Sequence, residues 1–80
     1  MIKIQLIVHG FLSNKPEAER SKEVIEVEYS HALTVNQLLK DIKIKIEFLG
    51  LVILDGKDVN RDFLINHSCQ IKLIPLLVGG

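Results

Sequence analysis

The sequence predicts an α+β fold in which short strands pack against one main helix. Three observations support this class. Apolar residues recur at every second position in residues 2–8, a capped helix start follows Leu33, and Asp55-Gly56 joins two short apolar runs. Two strands precede the helix and further strands follow it, so strands and helix form one α+β domain.

The first two strands are predicted at residues 2–8 and 23–29. The first of them has its apolar residues at spacing two, which is typical of a strand with one buried face: Ile2, Ile4, Leu6 and Val8. In the second, Glu26 and Glu28 alternate with apolar residues. The intervening segment 9–22 is polar, so we expect an antiparallel pair joined by a long hairpin loop.

The helix start is predicted by a capping box. The Thr34 side chain can accept from the Gln37 amide while the Gln37 side chain returns to the Thr34 amide, and Leu33 and Leu38 are spaced as a hydrophobic staple. One stripe of the helix is apolar, at Val35, Leu38, Leu39, Ile42 and Ile46. The helix end stays open, because residues 42–48 also alternate as a strand would, although the capping box upstream and Gly50 downstream favour a helix.

The second half predicts a hairpin and a last strand. Asp55-Gly56 suits a type I′ turn between residues 51–54 and 57–59. Residues 60–62 form another turn, and residues 63–65 are expected to tuck apolar side chains beneath it. The last strand, residues 70–75, places three residues on one face: Ile71, Leu73 and Pro75.

Composition excludes several function classes. The chain has 80 residues, with 10 Lys+Arg against 10 Asp+Glu, so one small domain is expected and no basic arm for nucleic acid. A domain of this size has little room for a deep active site, which disfavours an enzyme acting alone. The apolar runs are shorter than the roughly 18 residues of a membrane span. We therefore expect a soluble, cytoplasmic protein without membrane contact.

The last residues are the strongest functional signal. Pro75 cannot donate a ladder hydrogen bond, so we expect a domain at 1–75 and a flexible tail at 76–80. The tail ends in Gly79-Gly80, which could thread a narrow channel of a partner protein and present an unhindered carboxylate. The alternative is a frayed terminus whose leucines fold back on the core.

Three segments together resemble the MoaD/ThiS family of ubiquitin-like sulfur carrier proteins. They are Thr34-Val35-x-x-Leu38-Leu39, Leu54-Asp55-Gly56-Lys57-Asp58-Val59 and the ending Pro75-x-x-x-Gly79-Gly80. The resemblance covers essentially the whole chain, and the long first loop is more similar to the molybdopterin synthase small subunit than to the thiazole type. It implies a β-grasp fold, with a mixed sheet of four to five strands on one main helix.

The resemblance also implies a chemistry in which the chain is a substrate. An E1-like adenylyltransferase of the MoeB/ThiF type would use ATP to adenylate Gly80, and sulfur would then displace AMP to leave a thiocarboxylate. The tail would enter a sulfur-accepting synthase subunit in molybdopterin or thiamine thiazole biosynthesis. The threading residues would be Pro75, Leu76, Leu77, Val78 and Gly79. The chain would have no catalytic residue, bound cofactor or metal of its own.

Two other functions stay open. The same tail would permit a ubiquitin-like modifier joined to lysines through Gly80, and a β-grasp sheet could instead serve as a non-covalent interaction module. Apolar residues of the outer sheet surface, with Leu76 and Leu77, are the expected partner contact. Cys69 is interpreted as a small buried hydrophobe, with a sulfur-relaying thiol as the alternative. The three histidines lack metal-ligand spacing with it.

Overall fold

The centre of the molecule is a parallel pair of strands that are far apart in the sequence. The computed structural model describes residues 1–8 and 23–76. Strand β1 (Ile2–Val8) lies beside β7 (Cys69–Pro75), with Leu6 opposite Ile71. Three further strands join them in one sheet: β2 (Glu23–Tyr29), β4 (Leu49–Leu54) and β5 (Lys57–Val59). The order in this mixed five-stranded sheet is β2-β1-β7-β4-β5, and its other three pairs are antiparallel.

One face of this sheet carries the core. The predicted alternation of the first strand is confirmed, because Ile4, Leu6 and Val8 are buried. The predicted inner face of the last strand is confirmed as well, with Ile71 and Leu73 fully buried. These side chains form one cluster with the apolar stripe of the helix, at Val35, Leu38 and Leu39. Removal of these apolar surfaces from water is the main force holding the helix on the sheet.

Helix α1 (Val35–Ile42) begins as the capping box predicts. The Thr34 amide donates to the Gln37 side chain at 2.9 Å, and the Gln37 amide donates to the Thr34 hydroxyl at 3.2 Å. The first helical amides are also satisfied, because Val35 donates to the Phe63 carbonyl. The first amides of a helix have no partners inside the helix. The capping box and the segment around Phe63 therefore both fix where α1 starts.

The end of α1 differs from both predicted alternatives. The helix stops at Ile42, and Lys43 takes a left-handed conformation with φ of 55°. A 3-10 turn, Ile46–Phe48, follows after two irregular residues. Ile46 is therefore not in the helix, and residues 42–48 do not form a strand. Ile42 and Ile46 nevertheless pack on the border of the core, which explains why their spacing fitted two patterns.

A second, two-stranded sheet was not predicted. It pairs β3 (Leu33–Thr34) with β6 (Leu64–Ile65) in antiparallel fashion beside the helix start. Ile65 is fully buried, but Phe63 and Leu64 are 39% and 51% exposed. The expectation that residues 63–65 all tuck inward is therefore wrong for two of the three. The short ladder holds Ile65 inward while its neighbour Leu64 points the other way.

The β4–β5 hairpin has the predicted turn. Asp55 and Gly56 both have positive φ, at 49° and 85°, as a type I′ turn requires. Asp55 also ties the turn to β7, because its amide donates to the Gln70 carbonyl and its side chain accepts from the Gln70 amide, each at 2.9 Å. The described residues form an α+β fold with a mixed five-stranded sheet and one α-helix, an arrangement compatible with a β-grasp fold.

Candidate functional site

The candidate site is the point where the chain leaves the sheet after β7. Strand β7 ends at Pro75, which lies opposite Leu49 of β4. The next residue is still held, since the Leu76 amide donates to the Phe48 carbonyl at 2.6 Å. Pro75 is half-buried and Leu76 is 51% exposed. Of the predicted threading residues, the structure therefore places Pro75 and Leu76 at the base of the tail.

The other predicted tail residues lie outside the described part of the chain. These are Leu77, Val78, Gly79 and the predicted modification site Gly80. The base of the tail belongs to the central strand, which is hydrogen-bonded on both sides, to β1 and to β4. Pro75 and Leu76 are therefore the end of a strand that is held on both sides.

Gly50 allows the chain to leave so close to β4. The β4–β7 register shifts between Leu49 and Leu51, so Gly50 sits in a bulge. A Cβ atom at Gly50 would lie 3.1 Å from the Cα of Leu76 and 3.3 Å from the carbonyl oxygen of Ile74. Both contacts are with backbone, which cannot rotate away as a flexible side chain could.

Gly50 was not identified as a site residue from the sequence. The available signal was a glycine inside an apolar run, which indicates a bulge or a close approach of another backbone. It had been used only to mark the end of the preceding helix. In the structure its role is different: because Gly50 has no side chain, the backbone of Leu76 can lie directly against it.

Apolar side chains, some exposed and some half-buried, lie on the sheet face that points away from the helix. The outer apolar surface, as we call it, consists of residues from four strands: the exposed Val24 and Leu51, and the half-buried Ile7, Ile53 and Ile74. The exposed Lys72 lies between Ile7 and Ile53 in the register. Leu51 is opposite Ile74 in the register, and Leu51 is 47% exposed. Leu51 and Ile74 are near the end of β7 from which the tail departs. The structure thus defines which apolar residues face outward, which sequence alone did not provide, and their contact with a partner stays a prediction.

An open cleft lies at the other end of the sheet. It has a volume of about 410 Å³ and is lined by Cys69 and Gln70 at the start of β7, by Lys3 and Gln5 of β1, and by Glu26 and Glu28 of β2. Gln70 lies five residues before Pro75, so roughly 17 Å of strand separates this cleft from the tail base. The cleft and the tail base are therefore two separate places on the molecule.

Cys69 has the character of a core-border thiol. It is half-buried on the inner face of β7, opposite Ile4. Burial raises the pKa of its thiol, and the Asp55 carboxylate raises it further. A raised pKa keeps the sulfur in the thiol form, which is the weaker nucleophile. These surroundings favour the interpretation as a small hydrophobe over that of a sulfur relay.

The described residues contain neither a metal-binding cluster nor a helix that could span a membrane. Within residues 1–8 and 23–76, no three His, Cys, Asp or Glu side chains come together as a metal-binding group. In the same part of the chain, no helix has both the length and the apolar character required to span a bilayer.

No protein-family model matches this chain, and no curated protein matches it either.

Proposed function

We propose that this chain is a ubiquitin-like sulfur carrier, as its resemblance to the MoaD/ThiS family implies. In this proposal an E1-like enzyme of the MoeB/ThiF type adenylates the Gly80 carboxylate with ATP. Sulfur then displaces AMP and leaves a thiocarboxylate at Gly80. The charged carrier donates that sulfur in molybdopterin biosynthesis, or in thiamine thiazole formation. The chemistry of each step belongs to partner enzymes, and this chain supplies the carried group and the surface that presents it.

One observation supports the proposal most strongly. The central strand of the sheet ends at Pro75, five residues before Gly80, and the tail base is fixed beside the exposed side chain of Leu51. A partner that binds the outer apolar surface would therefore receive the tail in a defined direction. Fixing the base of a flexible segment lowers the entropy lost when its end enters an active site.

The first test is intact mass spectrometry of the protein isolated from its own cells without reducing agent. We expect the mass to rise by the difference between one sulfur and one oxygen, and the C-terminal peptide to carry the change at Gly80. The same peptide shows whether Gly80 is the residue with the free carboxylate. An unmodified terminus in cells with active molybdopterin and thiamine synthesis would contradict the proposal.

The test also separates the alternatives. A ubiquitin-like modifier would leave its own C-terminal peptide on lysines of other proteins. Trypsin, which cuts after Lys72, would leave residues 73–80 as that remnant, ending in Gly-Gly. A non-covalent interaction module would keep its binding partners after deletion of Gly79 and Gly80, whereas a sulfur carrier would lose all activity. These readouts differ in kind, so the unchanged protein and the deletion variant together distinguish the three functions.

A second test concerns the surface that meets the activating enzyme. Leu51→Glu places a charge on the outer apolar surface beside the tail base and should raise the KM for adenylation. Leu64→Glu is the matched control, because Leu64 is 51% exposed, close to the 47% of Leu51, but lies in the separate β3–β6 ladder. Equal effects of the two variants would contradict the assignment of this surface.

A further inference from the structure

One edge of the five-stranded sheet is long and lacks a described partner. Strand β2 has seven residues and pairs only with β1, whereas β5 at the opposite edge has three. Within the described residues, no backbone group hydrogen-bonds to the outward side of residues 24–29. Backbone groups on the outward side of an edge strand are a template for another strand. The β2 edge, by which we mean residues 24–29, has the length that such pairing needs.

The side chains of the β2 edge differ on its two faces. On the outer face Glu26 and Glu28 are exposed, and neither makes an ion pair with a described residue, although Lys3 lies opposite Glu28 in the register. On the inner face Ile25 and Val27 are only half-buried and pack at the border of the core. The outer face of the edge thus carries Glu26 and Glu28 beside the exposed Val24, and the inner face is apolar.

We propose that the β2 edge accepts an extended segment of a partner protein as a sixth strand, with basic side chains beside Glu26 and Glu28 and apolar side chains beside Ile25 and Val27. The alternation follows from the strand period of two, because directly opposed residues of an added strand share a face with their β2 neighbours. The backbone supplies the hydrogen bonds, and the two glutamates select the charge of the segment.

A second copy of this chain is a poor occupant for the same edge. Antiparallel pairing of two β2 edges over five residues needs an axis at Glu26 or at Val27, which sets Glu26 against Glu26 or against Glu28 of the second copy. Like charges directly opposed across strands are destabilising. The two glutamates that disfavour pairing with a second copy are the residues that would attract a basic strand. The inference does not depend on the proposed sulfur chemistry, since the β2 edge and the tail base are on different strands.

The test is an NMR titration of the full ¹⁵N-labelled chain with two blocked peptides, one alternating Lys and Val and the other alternating Glu and Val. We expect the basic peptide to shift and protect the amides of residues 24–29 and to bind more tightly than the acidic one. The double variant Glu26→Lys with Glu28→Lys should weaken binding of the basic peptide by about tenfold, and it should then bind the acidic peptide more tightly than the basic one.

The matched control is Asp58→Lys with Asp62→Lys, which makes the same change in net charge on exposed residues away from β2. It should leave binding of the basic peptide within about twofold of the unchanged chain. A milder pair, Glu26→Gln with Glu28→Gln, repeats the test if the lysine pair disturbs the spectrum. Equal weakening by both lysine pairs, or shifts that fall outside residues 24–29, would overturn the proposal. Absence of binding would also overturn it and leave the glutamates as guards against aggregation.

Discussion

Gly50 and Leu76 lie against each other, backbone to backbone, where the chain leaves the sheet. The contact explains why a residue without a side chain occupies this position in β4. We expect Gly50→Ala to destabilise the domain by about 1–3 kcal/mol, because a methyl group 3.1 Å from the Leu76 Cα forces β4 and β7 apart. Urea unfolding measures the change in the free energy of unfolding, and the Leu76 amide signal should shift as well.

Leu51→Ala is the control for this prediction. Leu51 is the neighbouring residue and 47% exposed, so its truncation should change the free energy of unfolding by much less than Gly50→Ala. A Gly50→Ala protein as stable as the unchanged chain would show that the close approach is absent in solution.

The capping box predicts a second stability change. Thr34→Ala removes the acceptor of the Gln37 amide and should lower the free energy of unfolding by about 1 kcal/mol. Thr34→Ser keeps the hydroxyl and should restore most of that loss. Thermal or urea unfolding of the three proteins measures both effects. An alanine variant no less stable than the serine variant would contradict the capping role.

Tyr29 is predicted to titrate late. Its hydroxyl donates to an Asp41 carboxylate oxygen at 2.9 Å, and burial together with Asp41 raises its pKa from 10.0 to about 12. The protein has one tyrosine and no tryptophan, so tyrosinate absorbance reports this group alone. Asp41→Asn should lower the measured pKa part of the way towards 10, because burial, the larger cause, remains.

The same shift predicts how stability depends on pH. The unfolded chain releases the Tyr29 proton near pH 10 and the folded chain near pH 12. The stabilisation linked to this proton is therefore complete below pH 10 and is lost as the pH rises through 12. Tyr29→Phe should remove that part of the alkaline loss. Urea midpoints measured between these pH values for both proteins provide the comparison, and parallel curves would contradict the assignment.

Cys69 is predicted to react slowly with alkylating reagents. Burial and the Asp55 carboxylate raise its pKa, so the native protein holds less thiolate at a given pH than the unfolded chain. Asp55→Asn keeps the oxygen that accepts from the Gln70 amide but removes the charge, and it should increase the native alkylation rate. Cys69 is the one cysteine of the sequence, so its alkylation rate can be measured directly as a function of pH. We expect the unfolded chain to react fastest, the native Asp55→Asn variant more slowly, and the native unchanged chain most slowly.

Sequence reasoning succeeded where one local signal had one structural meaning. The alternation in β1, the Thr34 and Gln37 capping box and the Asp55-Gly56 turn each predicted the observed element. It did not find the β3–β6 ladder, because two residues per strand contain no period. Sequence reasoning also extended the helix beyond Ile42. The helix ends because Lys43 adopts a left-handed backbone conformation, which is usual for glycine and is not signalled by a lysine.

The candidate site was predictable only in part. Pro75 and the residues after it were recognised from their chemical types, and the strand end at Pro75 is confirmed. The position of Gly50 under Leu76 depends on how β4 meets β7, where Leu49 lies opposite Pro75, more than twenty residues further along the sequence. Such contacts are set by tertiary packing and have no local sequence pattern.

The central position of β7 has a mechanical consequence for whatever grips the residues after Leu76. A pulling force applied there loads a strand flanked by a parallel ladder to β1 and an antiparallel ladder to β4. Both ladders must shear before β7 can slide out, and the core side chains Ile71 and Leu73 must enter water as it moves. If a partner draws in the residues after Leu76, as the proposed function requires, we expect the folded sheet to resist unfolding and so to limit how far those residues can be inserted.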